Sequence, residues 1–146
     1  MAVDRRAKCV WTGTLQEGGG RLSAETSGLF SDVPVTWKAR SEDGGERMTS
    51  PEELLAAAHA SCFSMALSSG LTKAGTPPDR LEVTATCSFQ PGEGVTKMHL
   101  EVAGVVPDAD DDGFGQAAEE AKENCPVSKA LAGIPEITLG ATLQKA

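Results

Sequence analysis

The chain has no excess of positive charge, no long apolar run and no closely spaced cysteine pair, and each absence excludes something. Thirteen Lys plus Arg against twenty-one Asp plus Glu leave a net charge of −8, a field that repels nucleic acid phosphates and anionic lipid headgroups. No stretch reaches the roughly eighteen uninterrupted apolar residues expected of a membrane span, and the basic residues of MAVDRRAKCVWTG are not followed by an apolar segment. The expectation is a soluble cytoplasmic protein that engages neither nucleic acid nor membrane. Four cysteines, Cys9, Cys62, Cys87 and Cys125, are too few to form a disulfide scaffold for 146 residues, so any disulfide is expected to be transient. Repeats, linkers and low-complexity tracts are missing too, which leaves one domain over residues 1–146, long enough to bury a core without staples.

Alternation supplies the strands. Cys9, Trp11 and Leu15 against Val10, Thr12 and Thr14 predict a first strand, EGGG at 17–20 a hairpin turn, and RLSAETS the return. In VPVTWKAR (33–40), Val33, Val35, Trp37 and Ala39 face one way and Thr36, Lys38 and Arg40 the other, which predicts a third strand with Arg40 on its polar face. SEDGGER (41–47) is polar and glycine-containing, and is expected to be a mobile loop. Next comes a long helix: Ser50 is placed at the N-cap, Pro51 at N1 and Glu53 at N3, with Lys73 in the last turn and Gly75 just beyond. Its apolar residues cover nearly the whole circumference, which predicts a central helix covered on most sides. LEVTATCSF and VTKMHLEVAGVV around PGEG form a second hairpin, with Met98, Leu100 and Val102 inward and Lys97, His99 and Glu101 outward. A helix over 113–124, a short one in CPVSKAL and a strand in EITLGATL complete an α+β order, β-β-β-α-β-β-α-α-β.

Several residues are chemically suggestive. Cys125, just before Pro126, falls at a helix N-cap, where free amides and the helix dipole favour a thiolate. The alternative is a small residue filling a junction. Cys62 lies on an apolar helix face that disfavours a thiolate unless a cation such as Arg40, Arg47 or His59 is near. His59 is either a base or a packed histidine, and His59, Cys62, His99 and Cys125 form a conceivable zinc set, although they lack the paired short spacings of structural zinc sites. Cys9 and Cys87, each on an apolar strand face, are read as core. DADDDGFGQAAE (108–119) matches a calcium-loop pattern with Asp108, Asp110, Asp112 and Glu119 as ligands, but no helix enters the loop, and an acidic helix start explains the same aspartates.

The run SPEELLAAAHASCFSMALS, followed by the distant CPVSKAL, resembles the OsmC/Ohr family of thiol-dependent hydroperoxide reductases, in its osmotically inducible branch. That resemblance implies antiparallel sheets wrapped around a long central helix in an intertwined dimer. It implies Cys62 as the thiol that attacks peroxide, Cys125 as the resolving thiol, Arg40 as the cation activating Cys62 (Arg47 being the runner-up), and Glu52 as the carboxylate holding the arginine. It further implies organic hydroperoxides as substrates, an external dithiol of lipoyl or thioredoxin type as reductant, and no metal, haem or flavin. Ten helical residues separate Glu52 from Cys62, roughly 15 Å along the axis, which predicts a homodimer whose sites draw on both subunits. The alternative is a stress protein of the same fold that binds small ligands without catalysis.

Overall fold

A computed structural model of the chain describes residues 1–42 and 47–145; the middle of the predicted loop, residues 43–46, lies outside them. The chain divides into two compact units, Met1–Leu54 and Leu55–Ala146.

The first unit holds a three-stranded sheet in the order β1-β2-β3, formed by β1 (Ala7–Thr12), β2 (Gly19–Ala24) and β3 (Val33–Val35), with both pairings antiparallel. The first hairpin is present, but its turn is displaced from the expected glycines. Gly19 and Gly20 are already paired in β2, opposite Thr12 and Trp11, and the chain reverses over residues 13–18, entering through Gly13, whose φ of 88° suits glycine, and closing with the Gly18 amide on the Thr14 carbonyl at 2.8 Å. All six residues of β1 are exposed, Cys9 among them, so its assignment to the core is corrected: β1 is an edge strand whose faces remain open.

The third strand is shorter than its alternation predicts. It ends at Val35, and Trp37–Ser41 form a helical turn, α1. Two local causes act together. Pro34 cannot donate to a ladder, which confines β3 to a sheet edge. The Thr36 side chain then accepts a 3.1 Å hydrogen bond from the Ala39 amide, an N-cap that starts a helix in Trp-Lys-Ala-Arg. Arg40 therefore sits on a helix rather than on a strand's polar face.

Helix α2 (Pro51–Lys73) begins and ends as its sequence predicts. The Ser50 hydroxyl accepts from the Glu53 amide at 3.1 Å. At the other end the Thr76 and Gly75 amides donate to the Leu71 and Thr72 carbonyls, a Schellman closure that needs the positive φ of 84° at Gly75.

In the second unit, β4 (Arg80–Gln90) and β5 (Gly94–Val105) make the expected hairpin, with a bulge between Ser88 and Phe89. β6 (Glu136–Gln144) lies on the other side of β5 and runs parallel to it, Leu100 opposite Leu139. This sheet is thus mixed, where antiparallel sheets alone were expected. The reason lies in the connection: α3 (Asp111–Asn124) and α4 (Pro126–Ala130) form a crossover from β5 to β6, and a crossover returns a strand in the same sense. Met98, Leu100 and Val102 are fully buried, as their inward register predicts. Phe63, Leu67 and Leu71 of α2 join Leu100, Val102, Val106, Phe114, Ala118, Ala121 and Cys125 in one core.

By length and composition alone α2 is apolar enough to cross a membrane, yet its buried side is committed to this core. The expectation of a helix covered on most sides is not met, since Met65 remains 72% exposed. Its apolar residues exceed what one face can bury.

The calcium reading also fails on the fold. Residues 111–124 are helical, with Asp112 and Glu119 inside the helix, and Asp110 is its N-cap, accepting from the Gly113 amide at 2.7 Å. A coordinating loop cannot occupy the same residues, so the aspartates belong to the acidic helix start.

Candidate thiol site

Each unit carries one half of the predicted set. In the first, the Arg40 guanidinium places Nε at 3.0 Å and Nη2 at 2.9 Å from the same oxygen, Oε1 of Glu52. The ion pair is a property of local structure: α1 presents Arg40, and Glu52 occupies the first turn of α2, where the dipole favours an acid. Trp37, three residues before Arg40 on α1, lies with its ring centroid 6.0 Å from the guanidinium carbon. Glu52 is buried, and its second oxygen, Oε2, has no partner. Arg47 is exposed and lines an apolar hollow of about 310 Å³ with Phe30, Val33, Pro34, Thr49 and Leu54.

The second unit carries the thiols. Cys62 on α2 is half-buried and Cys125, at the N-cap of α4, is completely buried; both are free, and each shifts the titration of the other. Burial pushes the Cys62 thiol up, the neighbouring Cys125 pushes it further, and the Val127 amide pulls the other way. For Cys125 burial again acts upward, but the polar groups of Cys62, Ser128 and Val127 beside it together outweigh it, and the thiol is lowered. The Cys125 side chain makes no cap hydrogen bond at the start of α4. Within this unit the surroundings therefore favour a thiolate at Cys125 over one at Cys62.

His59 is fully buried, with Nε2 2.7 Å from the Ser128 hydroxyl and Nδ1 unpartnered. Burial lowers its pKa, which keeps the ring neutral. The zinc set is not assembled. His99 lies on the outer face of β5, bonded to Thr138 at 2.6 Å and Glu101 at 2.9 Å, opposite the core side where Cys125 packs. Among the described residues no group of three or more His, Cys, Asp or Glu is arranged to hold a metal. The residue that sequence reasoning missed is Ser128; the only available signal was its place three residues after an N-cap cysteine.

Relatives bear on this arrangement of paired thiols. A sequence profile for the family described as OsmC-like protein matches residues 43–140. The chain belongs to the OsmC-like family. It is 39% identical over 142 residues to the Peroxiredoxin OsmC of Escherichia coli (strain K12), covering 95% of this chain and 96% of that one. It is 30% identical over 126 residues to an Organic hydroperoxide resistance protein-like 2 of Staphylococcus saprophyticus, covering 82% and 86% respectively. Its fold is that of a crystal structure from Legionella pneumophila described as an organic hydroperoxide resistance protein OsmC, with a TM-score of 0.67 at 21% identity over 97% of this chain and 98% of that one. The likeness to the Escherichia coli protein places the chain in the OsmC branch.

Proposed function

We propose that the protein is a cysteine-based peroxidase that reduces organic hydroperoxides to alcohols. The observation that carries this reading is the pair of free, mutually interacting thiols, Cys62 and Cys125, in a chain 39% identical to a protein named Peroxiredoxin OsmC. In the reaction, the Cys62 thiolate attacks the terminal peroxide oxygen; an S–O bond forms, the O–O bond breaks, and the alkoxide leaves and takes up a proton as the alcohol. Cys62 is left as a sulfenic acid. The Cys125 thiolate displaces its oxygen, giving a Cys62–Cys125 disulfide and water. An external dithiol of lipoyl or thioredoxin type then reduces the disulfide by thiol exchange. No metal or organic cofactor enters these steps.

Because its own surroundings raise the Cys62 thiol, the reaction needs a cation there. Arg40 suits this role: a guanidinium stays charged at every working pH, and Glu52 fixes its fork through one oxygen. In this reading the working form is a homodimer in which Arg40 and Glu52 of one subunit serve the thiols of the other. Supporting it are apolar side chains that the single chain leaves in water, Val10, Trp11, Leu15 and Met65. A reducing cytoplasm suits four free thiols.

The test is steady-state reduction of cumene hydroperoxide with excess dithiothreitol. The wild-type protein consumes peroxide catalytically and Cys62→Ser does not. Equal rates in the two proteins would overturn the proposal.

A further inference from the structure

One buried hydrogen bond joins the two helices that carry the thiols. His59 of α2 places Nε2 2.7 Å from the Ser128 hydroxyl of α4, a partner 69 residues away in sequence. His59 is fully buried and Ser128 nearly so. The register is the same on both sides of the bond: His59 stands three residues before Cys62, and Ser128 three residues after Cys125, the N-cap of α4. Helical residues three apart are neighbours on one face, so the bond lies one turn from each thiol. Cys125 belongs to the buried core, and Cys62 packs against that same core.

An apolar residue would fill the place of His59 with a smaller desolvation penalty. Its Nδ1 is buried and finds no partner among the described residues, so a whole imidazole has left water for one hydrogen bond. What an apolar side chain cannot do is fix where α4 stands along α2. Apolar contact is non-directional, whereas a hydrogen bond of 2.7 Å sets both a distance and an angle. α4 needs such a tie, because five residues form too short a helix to hold its place alone. On one side the Cys125 amide donates to the Ala121 carbonyl of α3 at 2.9 Å; on the other Ser128 meets His59.

We propose that the His59–Ser128 hydrogen bond is a clasp that positions the resolving thiol, holding α4 on α2 so that Cys125 stays within closing distance of Cys62. Both are positioning residues, each acting through the helix that carries its thiol. In the step served, the Cys125 thiolate forms the S–S bond, the S–O bond of the Cys62 sulfenic acid breaks, and hydroxide leaves and is protonated to water. A dithiol later reverses the S–S bond by exchange. The clasp raises the effective concentration of one sulfur at the other, because less freedom is lost on closing. Positioning of this kind is reciprocal: a clasp that favours the disulfide is itself tightened by the disulfide. It therefore contributes more stability to the disulfide form than to the dithiol form, whereas a bond that merely supports the fold contributes equally to both.

This inference rests on the Cys62–Cys125 closure of the proposed function, and the experiment separates the two. In a Cys9→Ser, Cys87→Ala parent, the Cys62–Cys125 disulfide is equilibrated with mixtures of reduced and oxidised glutathione, and its fraction is read by alkylation and mass spectrometry. Ser128→Ala is expected to lower the effective concentration about tenfold, the scale of one hydrogen bond, which raises the reduction potential by about 30 mV. His59→Leu does the same, and the double variant loses no more than either single one, because one bond is broken in all three. Ser128→Thr keeps the hydroxyl and His59→Gln keeps a polar group of similar reach; both restore the potential of the parent. Urea unfolding of Ser128→Ala is the second measurement, with a larger loss of stability expected in the disulfide form than in the dithiol form. An unchanged potential with equal losses in the two forms overturns the clasp, as does full additivity in the double variant. A parent that forms no Cys62–Cys125 disulfide in any mixture overturns the clasp together with the closing step. A parent that forms it but consumes no cumene hydroperoxide overturns the peroxidase reading alone.

Discussion

Cys62 and Cys125 act on each other in opposite senses: the neighbouring Cys125 raises the Cys62 thiol, while Cys62 helps to lower that of Cys125. The direction is the reverse of what an attacking Cys62 requires. A peroxidase built on this pair must therefore bring a cation to Cys62 that its own apolar helix face does not supply.

Arg40 is the residue to test for that role. Arg40→Lys keeps the charge but cannot place two N–H groups on Glu52 Oε1, so the cation loses its fixed orientation. Peroxidase turnover is expected to fall by about a hundredfold, the scale associated with misplacing a catalytic group, while Arg47→Lys leaves it unchanged. Turnover assays of the two variants side by side check the assignment.

Glu52 is buried and Arg40 half-exposed, so their pair contributes to stability as well as to orientation. Discounting for the exposed partner, Arg40→Ala is expected to cost about 1–2 kcal/mol in urea unfolding, since it leaves a buried carboxylate without its counter-ion. A loss below about 0.3 kcal/mol would mean that the pair is loosely held.

In the proposed mechanism Cys125→Ser removes the resolving thiol and leaves Cys62 able to attack. One equivalent of cumene hydroperoxide is expected to yield a dimedone adduct on Cys62 at high occupancy, against little adduct in the wild-type protein, where closure competes. Tryptic mass mapping reads both.

Burial lowers the His59 pKa below its ordinary 6.5, so between that value and the folded-state pKa the unfolded chain binds a proton that the folded chain refuses. Stability from this residue is constant above about pH 6.5 and declines as the pH falls below it. Denaturant unfolding of wild-type and His59→Gln proteins over pH 5–8 isolates the effect from carboxylate titration: the difference between them is expected to be flat at the upper end and to grow in the acid direction against the wild type.

Asp110 is a cap, and its behaviour separates that role from calcium binding. Asp110→Ala loses the 2.7 Å bond to the Gly113 amide and is expected to destabilise the protein by about 1 kcal/mol. Adding millimolar calcium should not raise the melting temperature of the wild-type protein.

The α+β order, the second hairpin and both ends of α2 were legible because their signals are local: a strict alternation, a Ser-Pro start, a lysine and glycine stop. The third strand misled because Val33, Val35, Trp37 and Ala39 alternate properly, while the deciding feature is one Thr36 hydroxyl that caps a helix. Cys9 misled because an apolar strand face predicts burial only where something covers it. The parallel register of β6 depends on a crossover, which residue patterns do not orient. At the site, the two cysteines stood out through their motifs, and Glu52 entered through family likeness. Ser128 carried only its place three residues after an N-cap cysteine as a signal, because its partner is a buried histidine that is remote in sequence.

The most direct measurement of the central claim is the intact and peptide mass of the protein after one equivalent of cumene hydroperoxide. The account predicts a loss of two hydrogens, mapped to peptides joined through Cys62 and Cys125, and reversal by dithiothreitol. An unchanged mass, or oxidation confined to Cys9 or Cys87, would contradict it.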